Sequence, residues 1–229
     1  MLGRHGRGAE RHPIRVEASL GETRFCGPCH EFDFPAREPG APRPTYLPGR
    51  PLQSTLSEHA RSAARDRTCQ DCHMPRRGDH VDHRFPGLGD PALMRRAVTT
   101  RVRVRSAARG GLRVDVELRP GEIGHAFPTG DMFRQGRFEV RRGRHSAVEP
   151  LTRWFSRVPG DDAFYLAEVD DTRVPPDGPL SFSLALPPGQ GPVRWRLDVW
   201  RLDPETARRR GLSEELVRVP VASGHAAPR

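Results

Sequence analysis

The sequence predicts an α+β chain: short helices and loops over residues 1–97, an antiparallel β-sandwich-like domain over 98–217, and a flexible tail over 218–229. Three observations carry this. Hydrophobic residues make up only 35% of the 229 residues, with 23 glycines and 24 prolines, so turns are frequent and one large apolar core is not expected. All four cysteines lie in the first segment, among proline, glycine and charged residues. From about residue 98 the apolar residues alternate with polar ones, the habit of strands with one wet face.

Each element has its own signal. The stretch 36–52 holds five prolines and reads as an extended loop. A helix is expected over 55–66, where Thr55 and Glu58 fit a capping box and Leu56, Ala60 and Ala63 share one face. A second helix starts at Asp90-Pro91, an N-cap followed by proline, and runs through Leu93 and Met94. Strands follow at Val102 and Val104, then at Leu112, Val114, Val116 and Leu118. The same alternation recurs at Phe138 and Val140, at Phe164 and Leu166, and at Phe182, Leu184 and Leu186. It is clearest at Val193, Trp195, Leu197 and Val199, with Arg194, Arg196 and Asp198 between them. After Asp203-Pro204 a short helix ends near Gly211, and the chain is expected to be loose from about 218. The acidic pairs Asp161-Asp162 and Asp170-Asp171 read as solvated loop carboxylates.

The formal charge is +9, and every basic residue is arginine because the chain has no lysine. The arginines are dispersed and not interleaved with aromatic residues, which argues against a nucleic-acid surface. No apolar run is long enough to span a membrane. Nor does the N-terminus hold the apolar stretch of a secretory signal.

Two motifs carry chemistry: Cys26-Gly27-Pro28-Cys29-His30 and Cys69-Gln70-Asp71-Cys72-His73. Two thiols about one helical turn apart match the two vinyl groups of haem, and the next residue sets an imidazole under the iron. The motifs therefore assign Cys26, Cys29 and His30 to one haem c and Cys69, Cys72 and His73 to another. Segment 1–97 then reads as a dihaem c-type cytochrome segment. Four thiolates holding zinc are the chemical alternative, but 39 residues separate Cys29 from Cys69, long for a zinc ribbon, and neither zinc nor a redox disulfide requires the following histidines. Four haem propionates would lower the effective charge to about +5.

Each iron needs a sixth ligand or stays open. His125 sits in Gly124-His125-Ala126-Phe127-Pro128-Thr129-Gly130, whose glycines and proline fix the backbone path. His83 lies in His83-Arg84-Phe85-Pro86-Gly87, and His12 precedes the first motif. Met74 is adjacent to His73 and cannot reach the opposite face of the same porphyrin. Together with Phe25-Cys26, His30-Glu31-Phe32 and His73-Met74-Pro75, these segments resemble the multihaem c-type cytochromes. They are most similar to the tetrahaem cytochrome c family of hydroxylamine oxidation and its larger relatives, over about residues 12–135. The resemblance implies bis-histidine haems in close array, with His83, His125 and His12 as distal ligands. His59 falls where an aromatic residue is expected, and a ligand role there is less secure.

Electron transfer by two haems is the leading expectation, with redox proteins as partners and no nucleic acid. A haem module of an oxidoreductase acting on a small nitrogen or sulfur compound is the second reading, and a zinc-binding structural module the third. Haem is attached at such motifs outside the cytoplasm. The expectation is therefore a periplasmic or otherwise extracytoplasmic chain, read here from a late start or as the end of a longer protein with other haem segments or subunits beside it.

Overall fold

The computed structural model describes residues 2–3, 15–35, 46–78, 80–159 and 164–227. Two short strands, β1 (Leu2–Gly3) and β2 (Arg15–Val16), pair in parallel. Helix α1 (Thr23–His30) runs directly into β3 (Glu31–Pro35), which pairs antiparallel with β4 (Tyr46–Ser54). Helices α2 (Thr55–Arg61) and α3 (Cys69–His73) follow, then the two-residue strands β5 (Arg76–Arg77) and β6 (His80–Val81), and α4 (Pro91–Ala97). The remaining strands are β7 (Val98–Ser106), β8 (Leu112–Pro120), β9 (Gln135–Arg142), β10 (His145–Leu151), β11 (Arg153–Pro159), β12 (Phe164–Asp171), β13 (Leu180–Leu186) and β14 (Val193–Trp200). Helices α5 (Pro204–Arg209) and α6 (Glu214–Val217) lead to β15 (Arg218–Ala226).

Two antiparallel sheets, ordered β10-β9-β14-β15 and β13-β8-β7, hold the main core. Val104, Val114, Val116, Leu118, Leu184 and Leu186 from the smaller sheet pack with Phe138, Val140, Val193, Leu197, Val199 and Val221 from the larger one. Phe138 joins the layers, stacking on Trp195 of the neighbouring strand at 5.7 Å and meeting Phe182 of the other sheet edge-on at 5.6 Å. Such pairs add about 0.5–1.5 kcal/mol beyond burial. Here the period-two reading of the sequence matches the strands found.

The predicted fold class does not hold. The chain is mostly antiparallel β in several small sheets, and among the described residues no separate N-terminal helical haem segment is evident. Helices α1, α2 and α3 have only eight, seven and five residues and alternate with the β3–β4 and β5–β6 hairpins. The prolines misled: β4 carries Pro48 and Pro51 but pairs only with β3. An edge strand tolerates a residue that cannot donate. Residues 218–226, expected in a loose tail, form β15 against β14. There Pro220 sits at a register shift, and Val221 is buried in the core. Strands β10 and β11 lack clean alternation and went unread.

Helix α2 is also shorter than expected, and Thr55 and Glu58 do not form its cap. Its first amides, of Leu56 and Ser57, donate to Glu31 Oε2 at 3.0 and 3.1 Å, so the residue after His30 caps it. Helix α4 begins as predicted, with the Asp90 carboxylate accepting from Ala92 and Leu93. Among the described residues no helix is long and apolar enough to cross a membrane.

Candidate functional site

The two cysteine motifs meet. Gly27 lets α1 lie close on α2, since a Cβ there would stand 3.1 Å from Leu56 Cδ2. Helix α3 opens with a capping box at the second motif: Thr68 Oγ1 accepts from Asp71 N at 3.2 Å and Asp71 accepts from Thr68 N at 2.7 Å. Gln70, inside that motif, donates to Leu20 O and Glu22 O at 3.0 and 2.9 Å, tying α3 to the turn that enters α1. Cys26 and Cys69 are consequently neighbours. Burial, then the Cys69 thiol beside it, pushes the Cys26 thiol up to about 11. Burial also raises Cys72. Among the described residues no group of three or more His, Cys, Asp or Glu side chains is placed to hold a metal ion.

His73, the last residue of α3, faces His125. Their ring centroids are 6.2 Å apart and the planes differ by 9°. His73 Nδ1 donates to Pro86 O at 2.7 Å, and His125 Nδ1 donates to Ala126 O at 3.0 Å. A carbonyl only accepts, so both imidazoles are fixed in the tautomer with a free Nε2 lone pair, the arrangement of metal-ligating histidines. Two imidazoles on one metal hold their nitrogens about 4 Å apart, and each ring adds roughly 1 Å to its centroid. The observed centroid separation of 6.2 Å equals that sum, so the spacing of the two rings would admit an iron between their Nε2 atoms. Burial pushes the His125 imidazole down to about 4, against the Ala126 bond that favours its charged form, so it is neutral at physiological pH, as a ligand must be.

The loop that presents His125 is held at several points. At its start Gly121 N and Glu122 N donate to Ala97 O and Arg96 O at 2.9 and 2.8 Å. Phe127 and Val174 exchange backbone bonds of 2.9 Å. Arg134 donates to Thr129 O at 2.7 Å. In the middle stands Glu58, only 1% exposed, whose Oε2 accepts from Ala126 N at 3.2 Å and from the Thr129 hydroxyl at 2.6 Å. Its other oxygen accepts from Ser54 Oγ at 3.2 Å and pairs with Arg173 at 2.7 Å. Arg173 is equally buried and also bonds Asp171 through Nε and Nη2 at 2.9 and 2.7 Å. Burial alone would raise the Asp171 carboxyl, but Arg173 holds it below its ordinary value. Asp170 and Asp171 are exposed, as expected, but they end strand β12, and Asp171 is paired with Arg173. Asp161 and Asp162 lie outside the described residues.

His30 has a different setting. It is exposed, and Gln53 Nε2 stands 2.9 Å from its Nδ1. The same amide reaches Thr55 Oγ1 at 3.2 Å, which lies 3.0 Å from the Thr129 hydroxyl. His83 is exposed as well, and its Nδ1 donates to Val81 O at 2.8 Å, leaving Nε2 free. Its loop is gathered by Asp82, which accepts from Arg77 Nε at 2.7 Å and from Arg84 Nε and Nη2 at 3.0 and 2.7 Å. Those bonds, Arg84's first, hold the Asp82 carboxyl well below the usual carboxylate range. His59 lies against Gly124, where a Cβ would come within 3.0 Å of its ring. His12 lies outside the described residues. Glu58, Arg173 and Gln53 were not found from sequence.

No protein-family model matches the chain, and no curated protein matches it in sequence. One solved structure is similar: a penta-haem cytochrome c552 from Thermochromatium tepidum, 22% identical, with a TM-score of 0.68. The match covers 93% of this chain and 58% of that one. The chain therefore shares its fold with part of that cytochrome and spans a little over half of its length.

Proposed function

We propose that this chain is an electron-transfer module with two covalently attached haem c groups. Cys26, Cys29 and His30 hold one, and Cys69, Cys72 and His73 hold the other. His125 is the distal ligand opposite His73. The observation that carries the reading is the His73–His125 pair, parallel and 6.2 Å apart with both Nε2 atoms free. A bound haem supplies a one-electron couple whose potential the axial ligands and burial tune. The chain's own part is to hold two imidazoles with parallel planes and to fix their tautomers through backbone carbonyls.

The adjacency of Cys26 and Cys69 supports short passage of electrons between the two groups. Phe25, Phe85 and Phe133 are 56%, 60% and 57% exposed. They belong to the segments bearing the first motif, the Pro86 carbonyl and the end of the His125 loop, where porphyrin faces would cover them. The similarity to a penta-haem cytochrome c552 is consistent with this function, with redox proteins as partners and an extracytoplasmic site of haem attachment.

For His30 the sixth ligand comes from His83, whose Nε2 is free, or from His12. One observation favours a second reading: among the described residues His30 is paired with Gln53 and with no second imidazole. An open iron there would suit a haem module of an oxidoreductase. The test is haem content and spin state after expression with a haem-attachment system. Two haems per chain, both low-spin when reduced and silent to carbon monoxide, support conduction. One carbon-monoxide-binding haem supports the open site, and zinc without iron sinks both.

A further inference from the structure

We propose that Glu58 is the positioning residue for His125, acting through Ala126 N and the Thr129 hydroxyl, with Arg173 as its counter-charge. The inference rests on the reading of His125 as a haem ligand and deepens it.

Glu58 is 1% exposed and Arg173 5% on its side chain, so neither charge is solvated. Burying such a pair is costly, and many helix–loop contacts are made with apolar residues instead. The geometry gives the pair a use. Glu58 stands on α2, beside the motif-bearing helix α1, while Ala126 and Thr129 belong to the loop that carries His125. One carboxylate oxygen takes both loop donors, at 3.2 and 2.6 Å. Ala126 is the residue whose carbonyl in turn accepts from His125 Nδ1. The two peptide groups that flank the Ala126 Cα, one bonded through its N–H to Glu58 and the next through its carbonyl to the imidazole, set where the ring points.

Arg173 completes the clamp from the far side. It donates to Pro128 O at 3.3 Å as well as to Glu58, and its neighbour Val174 is bridged to Phe127. The loop is therefore gripped between α2 and the segment after β12. Without the carboxylate, Ala126 N and Arg173 would both lose a buried partner, and the imidazole would lose its fixed line toward His73.

The test uses the holoprotein matured with both haems. Glu58→Ala should weaken distal closure of the His73 haem by about 10- to 100-fold. The readouts are a high-spin signal in the oxidised protein and carbon monoxide binding in the reduced one, at unchanged haem content. Glu58→Gln, which keeps an oxygen for Ala126 N and Thr129, should restore most of the low-spin signal. Thr129→Val, which removes one donor only, should give a smaller change in the same direction. His125→Ala sets the full effect. If His125→Ala exposes one haem to carbon monoxide while Glu58→Ala and Thr129→Val do not, the positioning role is overturned and the ligand reading stands. If His125→Ala is also silent, the ligand reading fails and takes this inference with it. Should Glu58→Ala not accumulate, a carbon-monoxide-silent Thr129→Val overturns the role alone.

Discussion

The two motif histidines end similar short helices, yet their surroundings differ in kind. His73 is held by a backbone carbonyl and faces a half-buried imidazole on a loop clamped from three sides. His30 is exposed and held by a side-chain amide, Gln53, that belongs to an edge strand. A carbonyl fixed by the backbone admits one tautomer. A glutamine can present nitrogen or oxygen, so it follows the ligand rather than dictating to it. As oriented, Gln53 donates to Nδ1. Iron at His30 Nε2 would need the proton on Nδ1, which the amide would meet by turning its oxygen inward. On the proposed reading, the surroundings of His73 are set by the fold, and those of His30 would be completed by the group it holds.

Removing the proposed distal ligand gives the largest expected contrast. His125→Ala should turn the His73 haem from low-spin to high-spin, so that half of the total haem binds carbon monoxide when reduced. His83→Ala should leave that haem untouched and act on the other. If His83→Ala instead opens the His73 haem, the assignment of ligands to the two sites is wrong.

Next in size is the buried pair. Arg173→Leu leaves Glu58 as an uncompensated charge beneath the His125 loop, and breaking a buried pair from one side costs about 3–5 kcal/mol. Thermal unfolding should fall accordingly, and adding Glu58→Gln should recover part of the loss. A change below about 1 kcal/mol would mean that water reaches the pair and solvates it.

Gln53→Leu should act on the other side of the comparison. It removes one hydrogen bond to His30, worth about 1 kcal/mol, or on the order of 40 mV for a one-electron couple. Redox titration should show one of two potentials moving by about that much. Equal shifts of both would imply that the chain Gln53–Thr55–Thr129–Glu58 carries the effect across to His125.

What could be read beforehand follows the range of the interactions. The motifs and the Gly124–Gly130 loop are local signals, and His73 and His125 come together as a haem reading needs. The central strands were legible because each has one buried face, as in Leu112 to Leu118. Strands β4 and β15 were not, because proline at an edge or a bulge looks like a loop in one dimension. Glu58 was invisible for another reason. Its position suggested a cap for its own helix, whereas its partners lie 68 and 115 residues away. Asp171 is exposed as expected, but its pairing with Arg173 was not legible. A charge with a distant partner carries no periodic signature, so its role appears only when the partner is in place.

The smallest effect belongs to Asp82, between the two regions compared. It gathers Arg77 and Arg84 beneath the loop that brings Pro86 O to His73 and carries His83. Its folded carboxyl is held below the ordinary value of 3.8. The unfolded chain therefore binds the proton first. The stabilisation is complete above about pH 4 and is lost as the pH falls below that value. Asp82→Asn should lower the melting temperature slightly near neutrality, and the gap from the parent should close as the pH is taken down. A gap that stays constant through the acid range would show that Asp82 acts by shape and not by charge. In that event the loop under His73 would be as indifferent to protons as the backbone carbonyl that fixes its imidazole.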